Sequence, residues 1–161
     1  MSQPGVIDGL QFARGALEKR GSLGMEHLPR LTQMQCSTPG LEYQIRGGTA
    51  GHGKLFLRIS ATGRMRLACQ SCLGPLSLSI AVDIELELAE YEREIEEADD
   101  DVDRVLASRT MDVAGLVEDE VILALPMVPR HDACAGASSA AWATGSPFSA
   151  LLALKRGENR H

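Results

Sequence analysis

The sequence predicts an α+β domain: an antiparallel sheet packed by helices, joined by mobile acidic and Ala/Gly/Ser-rich linkers. Three observations carry that reading. Between Leu76 and Leu88 every even position is apolar and every odd position is Ser, Ala, Asp or Glu. Side chains alternate faces along a strand, so this segment has one dry face and one wet face. Shorter runs of the same alternation precede it, joined by Gly-bearing connections that favour antiparallel pairing. Downstream, Asp112 opens a segment with helical spacing that ends at Pro126,.

In chain order, Asp8 to Arg20 reads as a short helix. Asp8 can cap it, Phe12, Ala13, Ala16 and Leu17 share one side, and Gly21 can end it,. Residues 22–38 show no period and carry Pro29, with Pro39 just beyond, so an irregular connection is expected. Strands follow at about 41–46, 54–61, 64–69 and 76–88. The second and third are separated by a turn at Thr62-Gly63. The stretch Glu90 to Arg104 is strongly acidic, and like charges with little to bury predict a mobile segment,. The helix at about 112–125 presents Val113, Leu116, Val117, Val121 and Ala124 to the sheet, with Glu118, Asp119 and Glu120 as a solvated patch. Residues 135–146 read as a loose Ala/Gly/Ser linker. Ser146 and Pro147 then suit the cap and first position of a short helix, with Lys155 and Arg156 near its end,.

The 161 residues are expected to form one domain, with an ordered core over about 8–130,. Aromatic residues are scarce, so that core must be aliphatic. The net charge of −6 argues against a free-standing nucleic-acid binder, whose affinity for phosphate comes largely from surplus Lys and Arg,. No basic-then-apolar leader opens the chain, and the densest apolar run, Val121 to Pro129, is far short of the ~20 residues of a membrane span,. A cytoplasmic protein without membrane contact is expected. Its four cysteines then suit reduced thiols or a metal better than disulfides,.

The sharpest chemical signal is Cys69-Gln-Ser-Cys72 together with His131-Asp-Ala-Cys134. Two pairs, each with two intervening residues, can supply the four ligands of a tetrahedral zinc. The first pair lies in a turn between strands, as in a zinc knuckle. A redox pair should instead open a helix, whose N-terminus lowers the thiol pKa. The alternative is that these are ordinary loop residues that never meet, and the sequence leaves both open. Cys36 reads as a free or half-buried thiol, and His27, His52 and His161 as surface residues. No phosphate-binding loop, dinucleotide fingerprint or nucleophile elbow is present,. Glu118 and Glu120 are two apart on a helix and point in different directions. An enzyme is therefore not expected, nor a small-molecule substrate.

The stretch Val117-Glu-Asp-Glu-Val-Ile-Leu-Ala-Leu-Pro-Met-Val-Pro-Arg-His131 resembles the corresponding segment of the bacterial YceD family. So do Pro147-Phe-Ser-Ala-Leu-Leu-Ala-Leu-Lys-Arg156 and the turn Cys69-Gln-Ser-Cys72-Leu-Gly-Pro-Leu. The three segments agree in order and spacing; residues 1–35 match only in general character. The resemblance implies a role in synthesis, processing or stability of the large-subunit ribosomal RNA. The partner would be precursor RNA or a ribosomal protein, bound directly or indirectly. It implies no catalytic residues. Some relatives carry a fuller set of cysteines after the helix, whereas this chain has His131 and Cys134 and no Cys beyond. A four-ligand site would then have to include Cys69 and Cys72. For RNA or partner contact the best-placed cations are Arg64 and Arg66 beside the Cys turn, with Arg130, Lys155 and Arg156. Competing readings are a metal- or thiol-dependent RNA-processing enzyme and a structural zinc module for protein interaction.

Overall fold

The computed structural model describes residues 5–97 and 102–134. The expected Ala/Gly/Ser linker, the C-terminal helix, Lys155 and Arg156 lie outside those residues. The architecture is α+β. Strands β1 (Val6–Ile7), β2 (Glu18–Leu23), β3 (Leu41–Thr49), β4 (Leu55–Ala68), β5 (Pro75–Ala89), β6 (Arg104–Leu106) and β7 (Met111–Asp112) alternate with helices α1 (Gly9–Arg14), α2 (Pro29–Gln33), α3 (Glu92–Glu96) and α4 (Val113–Ala124). Five strands form the main sheet in the order β2-β3-β4-β5-β6, while β1 and β7 pair separately. The pairs from β2 to β5 are antiparallel, as expected. β6 departs from that pattern and runs parallel to β5.

The period of two decides which face is dry. On β5, Leu76, Ile80, Val82, Leu86 and Leu88 are buried, and Leu78 and Ile84 pack partly against the same core. On β4 the matching face is Leu57, Ile59, Ala61 and Met65, and on β3 it is Leu41, Tyr43 and Ile45. Helix α4 covers this face through Val113, Val117 and Val121, all fully buried. Ala124, expected on that stripe, is exposed. Asp112 caps α4 by accepting from the amides of Ala114 (3.1 Å) and Gly115 (3.2 Å),. Replacing Val82 by Asp puts an unpaired carboxylate into this layer. A loss of about 2–4 kcal/mol is expected in chemical denaturation; an unchanged midpoint would show that the dry face is wrongly assigned.

Several expectations need correction. Asp8 does cap α1, accepting from the Gln11 amide at 3.0 Å. The helix nevertheless ends at Arg14, and residues 18–23 form β2 on the open edge of β3. Gly15 and left-handed Ala16 (φ 46°) reverse the chain between them. Edge pairing has overridden local helical spacing. Thr62-Gly63 is not a turn: β4 runs unbroken from Leu55 to Ala68, and Gly63 pairs with both Leu41 and Ile80. Glycine is needed there for closeness, because a Cβ would come within 2.4 Å of the Leu41 side chain. Residues 22–38 are not irregular either. They hold a 3-10 turn at Met25–His27 and helix α2, which bury Leu28 and Leu31. Of the acidic stretch expected to be mobile, residues 98–101 lie outside the described residues; the described part contains α3, and Arg104 of β6 binds Glu87 at 2.9 Å and the Glu94 carbonyl at 2.6 Å.

Glu118 is the largest departure. It was expected on a solvated patch and is 2% exposed. Helix α2 begins with Pro29 after Leu28, which has no side-chain acceptor to cap it. The Oε1 of Glu118 accepts instead from the amides of Arg30 (2.8 Å) and Leu31 (2.9 Å). A residue of α4 thus caps α2 across space, satisfying donors that a helix start leaves orphaned. The Arg30 guanidinium folds back onto Glu118 Oε2 (3.1 Å), Asp119 and the Gly115 carbonyl (3.1 Å). Hydrogen bonds to Asp119 and then Glu118 raise its pKa further.

Candidate metal centre

The β4–β5 connection is six residues, 69–74. It is closed at its base by the Cys69 amide on the Gly74 carbonyl (2.9 Å), and inside by the Leu73 amide on the Cys69 carbonyl (2.9 Å). Leu73 takes a left-handed conformation, φ 59°, and its side chain is 77% exposed at the tip of the turn. This geometry turns Cys69 inward and leaves Cys72 outside: Cys69 is fully buried and Cys72 exposed.

The second half of the site arrives from α4. Leu125 leaves helical geometry at ψ 140°, and the segment that follows carries Pro126 and Pro129. Proline cannot continue a helix, so the chain extends there. The Pro129 carbonyl accepts from the Gln70 amide at 2.8 Å, fastening this segment to the Cys turn. His131 and Cys134 follow directly. Cys69, Cys72, His131 and Cys134 thereby offer ligand atoms that all lie within 4.8 Å of one another. Cys69 Sγ is 3.5 Å from Cys134 Sγ, and Cys72 Sγ is 3.4 Å from His131 Nδ1. A tetrahedral zinc with bonds of about 2.0–2.3 Å sets its ligand atoms ~3.5–3.8 Å apart, so the arrangement fits that ion.

The imidazole is oriented for such a role. His131 Nε2 lies 3.0 Å from the Pro75 carbonyl. That carbonyl can only accept, so Nε2 carries the proton and Nδ1 presents its lone pair to the thiols. The thiols differ in their readiness to ionise. Amides of Cys72 and Ser71, with further bonds from His131 and Cys134, outweigh burial and bring the Cys69 thiol down to about 5. At Cys72 the Gly74 amide favours the thiolate. Desolvation and the neighbouring Cys69 and Cys134 win, and its thiol is pushed up. One ligand is therefore ionised at neutral pH, and another must lose a proton to join it.

The four sequence-predicted ligands are thus brought together. Three of the five predicted cations lie among the described residues. Arg64 and Arg66 lie on the wet face of β4, opposite Ser79 and Ser77 of β5, and Arg66 is three residues before Cys69. Arg130 is exposed next to His131. None of the three enters an ion pair among the described residues. Cys36 is buried, and burial pushes its thiol up. Sequence reasoning missed the Pro75 and Pro129 carbonyls, one orienting the imidazole and the other holding the two halves together. A backbone carbonyl has no residue signature, so no sequence signal marks either role. Among the described residues no helix is long and apolar enough to cross a membrane.

Residues 57–155 match the family model described as large ribosomal RNA subunit accumulation protein YceD. The match takes in β4 from Leu57 onward, the Cys turn, β5, α4 and both halves of the ligand set. No curated protein and no solved structure matches the chain.

Proposed function

This chain belongs to the YceD family, large ribosomal RNA subunit accumulation proteins, and on that footing we propose that it is a non-catalytic ribosome-biogenesis factor of the cytoplasm. It supports synthesis, processing or stability of large-subunit ribosomal RNA by binding precursor RNA or an early ribosomal protein. Cys69, Cys72, His131 and Cys134 hold a structural zinc, which fixes the β4–β5 turn against the segment after α4. The observation that carries this reading is the family match over residues 57–155, which spans all four ligands. A set of four protein ligands leaves zinc no open position for substrate or water, as a structural rather than a catalytic site requires.

The contact surface in this reading is Arg64, Arg66 and Arg130, with Lys155 and Arg156 beyond the described residues. With a net charge of −6 the chain neutralises few phosphates, so bare RNA binds weakly at physiological salt and a protein partner contributes the remainder,. Deleting the gene is expected to lower large-subunit RNA relative to small-subunit RNA. A joint charge reversal, R64E/R66E/R130E, should weaken rescue without shifting the melting temperature. A normal ratio of the two RNAs with correctly processed ends in the deletion strain would favour the zinc protein-interaction module instead. Cutting of RNA by the pure metal-loaded protein would favour the processing enzyme.

A further inference from the structure

The three sulfurs of the metal centre differ in access. Cys69 is fully buried, Cys134 is partly exposed and Cys72 is exposed. Cys69 Sγ and Cys134 Sγ are in contact at 3.5 Å, across 65 residues of sequence. A sulfur that solvent reaches, touching one that solvent does not, is the arrangement of an oxidisable thiol with its resolving partner. We propose that Cys69 and Cys134 are a reversible modification site for hydrogen peroxide, which joins them in a disulfide and expels the metal.

A thiol that coordinates a metal is already a thiolate, so no base is needed. The Cys134 sulfur attacks one oxygen of the peroxide. The O–O bond breaks, hydroxide leaves, and Cys134 becomes a sulfenic acid. The Cys69 sulfur then attacks the Cys134 sulfur; the S–O bond breaks and a second hydroxide leaves. Two thiolates and one peroxide thus give one disulfide and two hydroxides. Each sulfur gives up one electron and each oxygen gains one. Contact between the sulfurs lets this second step outrun further oxidation to the sulfinic acid. Cys69, being buried, meets Cys134 rather than the oxidant. Cys72 Sγ lies 3.4 Å from His131 Nδ1 and stays a thiol. Cys36 is buried against the Met34 carbonyl (3.8 Å) and takes no part.

The product keeps its shape and loses its ion. The Gln70 amide on the Pro129 carbonyl (2.8 Å) already fastens the Cys turn to the segment after α4. The disulfide joins the same two pieces covalently, in place of the metal. Cys72 and His131 remain, and two ligands are half of what a closed zinc site needs. The release step rests on the zinc reading; the sulfur step does not, because it needs only the two sulfurs.

Equimolar hydrogen peroxide on the purified full-length chain tests this, in a metal-loaded arm and a chelator-treated arm. In both, free thiols should fall from four to two, and peptide mapping without reductant should find Cys69 joined to Cys134. In the loaded arm about one zinc per chain should appear in solution as the disulfide forms. Dithiothreitol, itself oxidised to its cyclic disulfide, should restore both thiols and the uptake of zinc. Cys72→Ser keeps both reacting sulfurs and should form the same bond. A Cys69–Cys72 bond, a bond between chains, or four intact thiols in the metal-free arm would overturn the proposal. Sulfinic acid at Cys134 with Cys69 still free would overturn it too, as would a Cys69–Cys134 disulfide with the zinc retained. Zinc content before oxidant is added decides the zinc reading separately: a chain that never held zinc sinks that reading, while the metal-free arm still decides this one.

Discussion

Purified full-length protein should contain about one zinc per chain, and the Cys69→Ser/Cys72→Ser double variant should contain almost none. Both pairs are needed because each supplies only half of a closed shell, and a site reduced to His131 and Cys134 is open to water. Metal content by atomic emission measures this directly. The variant should also lose protection at Gln70, whose amide reaches the Pro129 carbonyl. Retention of full zinc content in the double variant would place the ion elsewhere. Acid should release the metal, because protons compete for the thiolates. Cys72, whose thiol is pushed up, is reprotonated more easily than Cys69. The Cys69 thiol is brought down to about 5, so it yields after Cys72. In the metal-free protein the same shift has a definite sign. Between about 5 and the ordinary value of 9.0 the unfolded chain binds a proton at Cys69 that the folded chain does not. Stability contributed by this thiol therefore grows with pH across that window and vanishes as the pH falls through 5.

Glu118→Ala is expected to cost about 3 kcal/mol and to lower the melting temperature by roughly 10 °C. The cause is not chiefly the ion pair. The Arg30 side chain is 44% exposed, so its attraction to Glu118 is partly screened by solvent,. The larger loss comes from the Arg30 and Leu31 amides at the start of α2, which lose their acceptor in a part-buried to buried setting. Glu118→Gln tests that division. It keeps a carbonyl oxygen for the two amides and removes the charge, so it should cost about 1 kcal/mol. A glutamine variant as unstable as the alanine variant would transfer the weight to the Arg30 guanidinium. Unchanged stability in Glu118→Ala would mean that α2 does not depend on this cap.

The features legible in the sequence are those whose cause is local. The alternation from Leu76 to Leu88 follows from the geometry of a single strand, and β5 occupies Pro75–Ala89. Asp8 and Asp112 were readable as caps because a cap binds amides two or three residues away. Cys69 with Cys72 and His131 with Cys134 were readable as pairs, since the spacing within each is local. Their meeting is not: it depends on the Gln70–Pro129 bond, 59 residues apart in sequence terms for the Cys72–His131 pair it brings together. Non-local causes account for the misses. Gly63 looked like a turn because the Leu41 side chain that excludes a Cβ lies on another strand. Glu118 looked solvated because its partners are the amides of α2, 87 and 88 residues away. Glu18 to Arg20, the first half of β2, read as helix because the vacant edge of β3 that recruits them comes later in the chain.

The span between the two halves of the metal centre also has a consequence in time. Cys69 and Cys134 are 65 residues apart. At roughly 5–20 residues per second, a ribosome needs about 3–13 s to add the second pair of ligands after the first. During that interval the nascent chain can pair β2 to β5, whose partners are adjacent in sequence, while Cys69 and Cys72 wait as an incomplete chelate. Closure of the site is thus a late event of translation, and metal capture, if the zinc proposal holds, would report that synthesis has passed α4.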